Sequence, residues 1–177
     1  MRSLKFLAIV LTALALVPGG AHLFALPNKI YLSESNYFIV QNIYRGWALF
    51  GIVLFGALFA DLALAWAMRG QRAFVFVLIC VICLVANLVI FFAFTFPANQ
   101  ATSNWTEVPA DWHQLRWQWE VSHAVNALLA FVGFCSLAIS MLVEEKLQFS
   151  ARSRESGNPE TTSAVRNSRH GPPLSRG

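Results

Sequence analysis

The sequence predicts an all-α integral membrane protein, a bundle of four spanning helices, and three observations carry that expectation. Of the 177 residues, 56% are hydrophobic and only 12% are charged, against about 25% charged in soluble domains. The apolar residues are gathered into long runs, and mean hydropathy is +0.54. Four runs reach the roughly 20 residues that a helix needs to cross a bilayer core: about residues 4–25, 46–68, 73–96 and 121–143. Together they make one membrane domain over residues 1–149, followed by a tail at 150–177.

Arg2 and Lys5 stand before the first run, as they also do in a secretory signal, and the small residues at 19–21 mimic a cleavage site. The run nevertheless continues through Leu23, Phe24 and Leu26, beyond the 7–15 apolar residues of a signal core, so a retained helix is expected. Pro18, Gly19 and Gly20 interrupt it. Proline favours a kink, whereas small residues permit close helix packing; the two readings are compatible.

Between the first two runs, Ser33 or Ser35 can cap a helix that carries Tyr37, Val40, Gln41, Tyr44 and Trp47 at helical spacing. The four residues Arg69, Gly70, Gln71 and Arg72 suit a tight hairpin between the second and third spans. Before the fourth span, Asp111 and Gln114 form a capping-box pattern after Pro109. Trp112, Leu115, Arg116 and Trp119 then recur at i, i+3, i+4, i+7. Spans two and four are therefore expected to project beyond the bilayer as amphipathic helices. The tryptophans of this loop region read as interfacial anchors.

Lys and Arg distribution sets the orientation. Arg2, Lys5, Arg69, Arg72, Lys146 and the tail arginines fall on one side, and only Lys29, Arg45 and Arg116 on the other. Both termini are expected in the cytoplasm, in a bacterial inner membrane or its equivalent, with the projecting helices extracytoplasmic. The net charge of +4 arises mostly in the tail, where five arginines face two glutamates. No basic stripe interleaved with aromatics is present, so no nucleic-acid partner is expected. The tail is poor in large apolar residues and is expected to be disordered. Its Arg154, Glu155, Ser156, Gly157, Asn158, Pro159 stretch resembles peptides produced when a reading frame runs into a dispersed repeat. A contact with anionic lipid is the alternative role.

Polar residues within the spans are few. Glu120, His123 and Asn126 follow one stripe of the fourth span. His22 ends the first span on the same side of the membrane, and Asn87 lies deeper. Ionisable groups at such positions are costly unless partnered or functional. A pocket under a lid of Tyr44, Trp47 and Trp119 is expected. Glu-x-x-His is half of a di-iron carboxylate site, but the second half has no counterpart in this chain.

Three readings remain open. His22, Glu120 and His123 offer ligand types for a mononuclear metal. His22 and His123 suit proton exchange near neutral pH. The structural alternative pairs Arg116 with Glu120 at i, i+4, while the histidines hydrogen-bond between helices. Cys80 and Cys83 have redox spacing but lie in an apolar helix, and with Cys135 they are expected to be reduced and structural. Asp61 is expected to be protonated or hydrogen-bonded to a neighbouring helix. Asn104, Trp105 and Thr106 form a glycosylation sequon, which matters only in a glycosylating host.

Across residues 1–145 these features resemble the anthrone oxygenase-like family of membrane proteins (DUF1772). The resemblance rests on residues 22–29 (His-Leu-Phe-Ala-Leu-Pro-Asn-Lys), on 37–41, and on Tyr44, Arg45, Gly46 and Trp47. It continues through Asn104, Trp105, Thr106, Trp112, Leu115, Arg116, Trp119, Glu120, His123 and Ala124. It implies a four-helix membrane fold and, for some fungal members, oxidation of anthrones to anthraquinones by dioxygen without a flavin or haem motif. No cofactor is recognised. On that basis the site residues are His22, Glu120 and His123, with Arg45 and Arg116 facing an anionic intermediate. Tyr44, Trp47, Asn87, Trp119 and Asn126 would line the pocket for a lipophilic small molecule. The alternative is a non-enzymatic membrane protein, binding lipid or accompanying a transporter.

Overall fold

The computed structural model describes residues 1–155, with side chains described to Val143. Among the described residues the chain is helical and has no strand. Helix α1 covers Arg2–Lys29, a short α2 covers Glu34–Gln41, and α3 covers Phe50–Met68. Helix α4 covers Phe74–Ile90 and passes through a π turn at Phe91–Thr95 into α5, Phe96–Ala101. Helix α6 covers Trp112–Glu155. Four helical stretches are long and apolar enough to cross a membrane: Arg2–Lys29, Trp47–Met68, Phe74–Ala101 and Trp112–Val143. This is the build of an integral membrane protein, because apolar surroundings leave a spanning backbone only the hydrogen bonds it makes internally.

The helices form a ring in which α1 packs on α3 and α6, while α4 packs on α6 and α3. Helix α1 continues through both Pro18 and Pro27. Of the two readings of its proline–glycine stretch, close packing is visible at Gly19, where an added Cβ would stand 3.1 Å from the Cα of Ala127. Gly20 next to it faces open space. Gly133 plays the same part between α6 and α4, its Cβ position lying 3.2 Å from Cβ of Cys83. The expected hairpin forms at Arg69–Arg72 with Gly70 left-handed at φ 83°, and the Arg69 guanidinium rests 3.8 Å over the Trp66 ring.

At this hairpin end the core is aliphatic, built on Leu64, Met68, Val77, Leu84 and Leu137. Asp61 is buried in it and accepts a hydrogen bond from Thr12 Oγ1 of α1 at 2.8 Å. Cys80 Sγ approaches the same oxygen at 3.5 Å, and all three cysteines are free thiols. The opposite, loop end holds a second core of Tyr37, Ala98, Trp105, Trp112 and Trp119. That corrects the reading of these tryptophans as interfacial anchors. Three of the four in the loop region are buried against one another and against Tyr37, and only Trp117 is turned outward, 62% exposed.

Two features reshape the loop end. The helical approach to α3 bends at Gly46, whose left-handed φ of 86° separates 3₁₀ turns at Asn42–Tyr44 and Trp47–Leu49. The third span runs longer than its apolar run. Ahead of Pro97, which has no N–H and crowds the carbonyl four residues back, the backbone re-registers as the π turn and continues to Ala101. Beyond it Ser103, Asn104 and Trp105 all adopt positive φ, a conformation costing about 1–3 kcal/mol per residue unless held. Thr102 holds it: its Oγ1 donates to the Ala98 carbonyl at 2.8 Å and accepts the Trp105 N–H at 3.1 Å. Helix α6 starts at Trp112, directly after Asp111, and continues past Ser150 to Glu155. The expectation for the rest of the tail falls on residues 156–177, outside the described residues.

Candidate functional site

The site forms where the loop ends of α1 and α6 meet. His22 and His123, 101 residues apart in sequence, stack with ring centroids 4.0 Å apart and planes 27° apart. Tyr44 packs on His22 at 4.1 Å, and Trp119 meets both imidazoles edge-on at 4.7 and 4.3 Å. Trp47 closes the group, 5.8 Å from His22. Aromatic neighbours at these separations fix ring orientation as well as burying area.

Behind this aromatic layer lies a charged one. Glu120 is 1% exposed and Lys29 is 3% exposed, yet Lys29 Nζ lies 2.9 Å from Glu120 Oε1. The contact is an ion pair without hydrogen-bond directionality. The same ammonium sits over the faces of Tyr44 and Trp119, 4.6 and 5.2 Å from their centroids, within the range of cation–π attraction. Tyr37 donates its hydroxyl to Glu120 Oε1 at 3.0 Å and accepts from Gln41 Nε2. Burial, and then the Glu120 charge beside it, push the Tyr37 phenol above its ordinary range. A carboxylate this deep is thus matched by a cation and a donor from two other helices.

The expected Arg116–Glu120 pair is replaced by this arrangement. Arg116 donates to the Leu32 carbonyl at 2.8 Å and lies 4.7 Å over the Trp112 ring. Its fan of donors satisfies the chain just past the end of α1, where carbonyls lack helical partners. Lys29, a compact point charge on α1, reaches the carboxylate instead.

A cavity of about 670 Å³ opens in front of the histidines, within the range typical of small-molecule sites. His22, His123, Asn126 and Asn87 give it a polar wall on α1, α6 and α4, and Tyr44, Trp47 and Trp119 line it as expected. Arg45 reaches its exposed rim, where it also donates to Asn42 Oδ1 at 3.1 Å. Glu120 and Arg116 do not line it. Asn87 Nδ2 donates to the Asn126 carbonyl at 2.8 Å, tying α4 to α6. His22 Nδ1, Gln41 Oε1 and Asn126 Oδ1 are buried without a protein partner, and all three residues line the cavity. Such atoms cost about 1–3 kcal/mol each when unpaired. Among the described residues, no group of three or more His, Cys, Asp or Glu side chains comes together as a metal-ligand set. Glu120 Oε1 is engaged by Lys29 and Tyr37.

Lys29, Tyr37 and Gln41, which the sequence reading placed in the family resemblance but not among the site residues, complete the surroundings of the pocket. A signal existed for each. Lys29 follows His22 at i+7, on the same helical face, and Tyr37 and Gln41 share a face at i, i+4. Compared with known proteins, the chain matches no family model, no curated protein and no solved structure.

Proposed function

We propose that this integral membrane protein is a small oxygenase-type oxidoreductase acting on an aromatic, lipophilic molecule in the cavity beside His22 and His123. The observation that carries the reading is the stacked histidine pair, contributed by two helices to the polar wall of an aromatic-lined cavity of about 670 Å³. In the reaction that the family resemblance implies, an imidazole removes a proton from an activated methylene. The resulting enolate reacts with dioxygen. The peroxide formed at that carbon then loses the second methylene hydrogen as a proton while its O–O bond breaks, so that one oxygen atom becomes the new carbonyl and the other leaves as water carrying both protons. Arg45 at the rim faces the developing anion, whereas Glu120 acts from behind, holding Lys29 and Tyr37 and through them the rings of Tyr44 and Trp119. The charge distribution supports an inner-membrane or equivalent location with both termini cytoplasmic and the cavity on the outer side.

A second reading, binding without turnover, is favoured by one observation: the Lys29–Glu120–Tyr37 network joins α1, α2 and α6 and presents none of its charges to the cavity. Oxygen consumption by the reconstituted protein with anthrone- and quinol-type compounds separates the two. Uptake is expected, and His22→Ala and His123→Ala are each expected to lower it about 100-fold or more with helical content unchanged. Unchanged uptake in both variants removes the acid–base assignment. Saturable ligand binding with no uptake in the native chain selects the second reading.

A further inference from the structure

The two walls of the cavity differ in kind. The wall on α1 and α6, with Asn87 of α4 at its edge, carries His22, His123 and Asn126, whereas the opposite wall, at the α3–α4 seam, is apolar. It consists of Gly51, Leu54 and Phe55 on α3 facing Leu88 on α4 and Phe91 and Phe92 in the π turn that continues it. Helices α3 and α4 are joined by the Arg69–Arg72 hairpin, and every buried residue of α3 lies in the half near that hairpin, from Ala57 to Met68. Toward the loop end no α3 residue is buried, and the seam with α4 is the thinnest of the four between neighbouring spans. Phe55 and Phe92 stand at this seam 42% and 54% exposed on the outer surface of the bundle, while also lining the cavity. The π turn begins beside Phe92. Such turns widen the helix locally and recur at functional positions.

We infer that the α3–α4 seam is a lateral portal through which a bilayer-dissolved planar aromatic molecule reaches the histidine wall directly from the membrane. The inference rests on the proposed aromatic-binding role of the cavity and adds the source and direction of approach. A molecule passing between Phe55 and Phe92 meets apolar and aromatic side chains throughout its path. Its leading edge then arrives at His22, His123 and Asn126, where the unpartnered His22 Nδ1 and Asn126 Oδ1 wait for polar groups. Gly51 sits in the path, and a Cβ added there meets nothing within 4 Å. Side chains placed at Gly51 therefore obstruct the portal without displacing the bundle. Gly20 offers the same open space on α1 but does not line the cavity.

The test is saturable energy transfer from the cavity tryptophans, Trp47 and Trp119, to anthracene dissolved in phosphatidylcholine vesicles holding the full chain. Anthracene has no activated methylene, so binding is read independently of oxidation. The native chain and Gly20→Leu should show equal saturable transfer, and Gly51→Leu should weaken it at least tenfold with helical content and unfolding temperature retained. Membrane-impermeant anthracene sulfonate, supplied on both faces, should compete at least tenfold more weakly than anthracene. Absence of saturable transfer in the native chain, native-like transfer in Gly51→Leu, or equal competition by the sulfonate each overturns the portal. If Gly51→Leu loses helical content, Phe55→Ala combined with Phe92→Ala replaces it. Faster entry then supports the portal, and an unchanged rate overturns it. Failure of oxygen uptake with this binding pattern intact removes the oxygenase reading and leaves the portal standing.

Discussion

At the scale of single residues, the fold's largest electrostatic commitment is the pair Lys29–Glu120, opposite charges 2.9 Å apart and almost wholly withdrawn from solvent. Removing one member strands the other in a medium that cannot solvate it, at about 3–5 kcal/mol, whereas replacing both with apolar residues of similar size is often neutral. Lys29→Met and Glu120→Leu are therefore each expected to lower the unfolding temperature in detergent sharply, and the double variant to recover most of the loss. Single variants as stable as the double would show that the pair is dispensable. Tyr37 adds a pH signature. Its folded phenol titrates above the ordinary value of 10.0, so its contribution is complete below that value and declines as pH rises and the unfolded phenol begins to ionise. Tyr37→Phe should cost about 1.5–3 kcal/mol at neutral pH, the worth of a hydrogen bond to a charged group. It should also flatten the stability loss between about pH 8 and pH 11, which parallel melts of the two chains measure. The histidine wall was legible in the sequence because His22 near the end of the first apolar run and His123 near the start of the fourth fall on the same side. Glu120's true partner was not, because spacing offers Arg116 at i+4, while only the meeting of α1 with α6 brings Lys29 to the carboxylate.

At the scale of elements, two glycines set how closely the helices approach. Gly19 faces the backbone of Ala127, and Gly133 faces Cys83 and Cys80, so either substituted by Leu forces α6 away from its neighbour. Overpacking of this kind costs about 1–3 kcal/mol. Gly20→Leu, with open space at its Cβ, should be near neutral, and thermal melts of the three variants rank them. Equal melting temperatures would mean that the α1–α6 and α4–α6 seams tolerate a full side chain. The helices themselves were legible because a 20-residue apolar run has one viable backbone in lipid. The loop end was less so. Its tryptophans have the composition of interfacial anchors, but Trp105 and Trp112 turn inward onto Tyr37 and Trp119 onto Trp105 and the histidines, where ring-to-ring contacts add to the area buried. The bend at Gly46 and the π turn before Pro97 come from single residues that a periodicity average smooths over.

At the scale of the whole molecule, the charge asymmetry that predicts orientation becomes sharper once partners are known. The side expected to face outward holds Lys29, Arg45 and Arg116. Lys29 is neutralised by Glu120, and Arg116 is drawn onto the Leu32 carbonyl and the Trp112 ring. Arg45, exposed at the cavity rim, is the cation of these three least engaged by the fold. On the opposite side Arg69 and Arg72 flank the hairpin turn and are exposed, close enough to the span ends to count in the positive-inside bias. A cysteine introduced at Gln71 should therefore resist a membrane-impermeant maleimide added to intact cells, and one introduced at Asn104 should react, each in a chain whose three native cysteines are replaced by alanine. Arg69→Glu combined with Arg72→Glu should weaken the bias and produce a mixed population in which both positions label partially. Labelling at position 71 with the arginines unaltered would invert the topology and place the cavity, with its histidine wall, toward the cytoplasm.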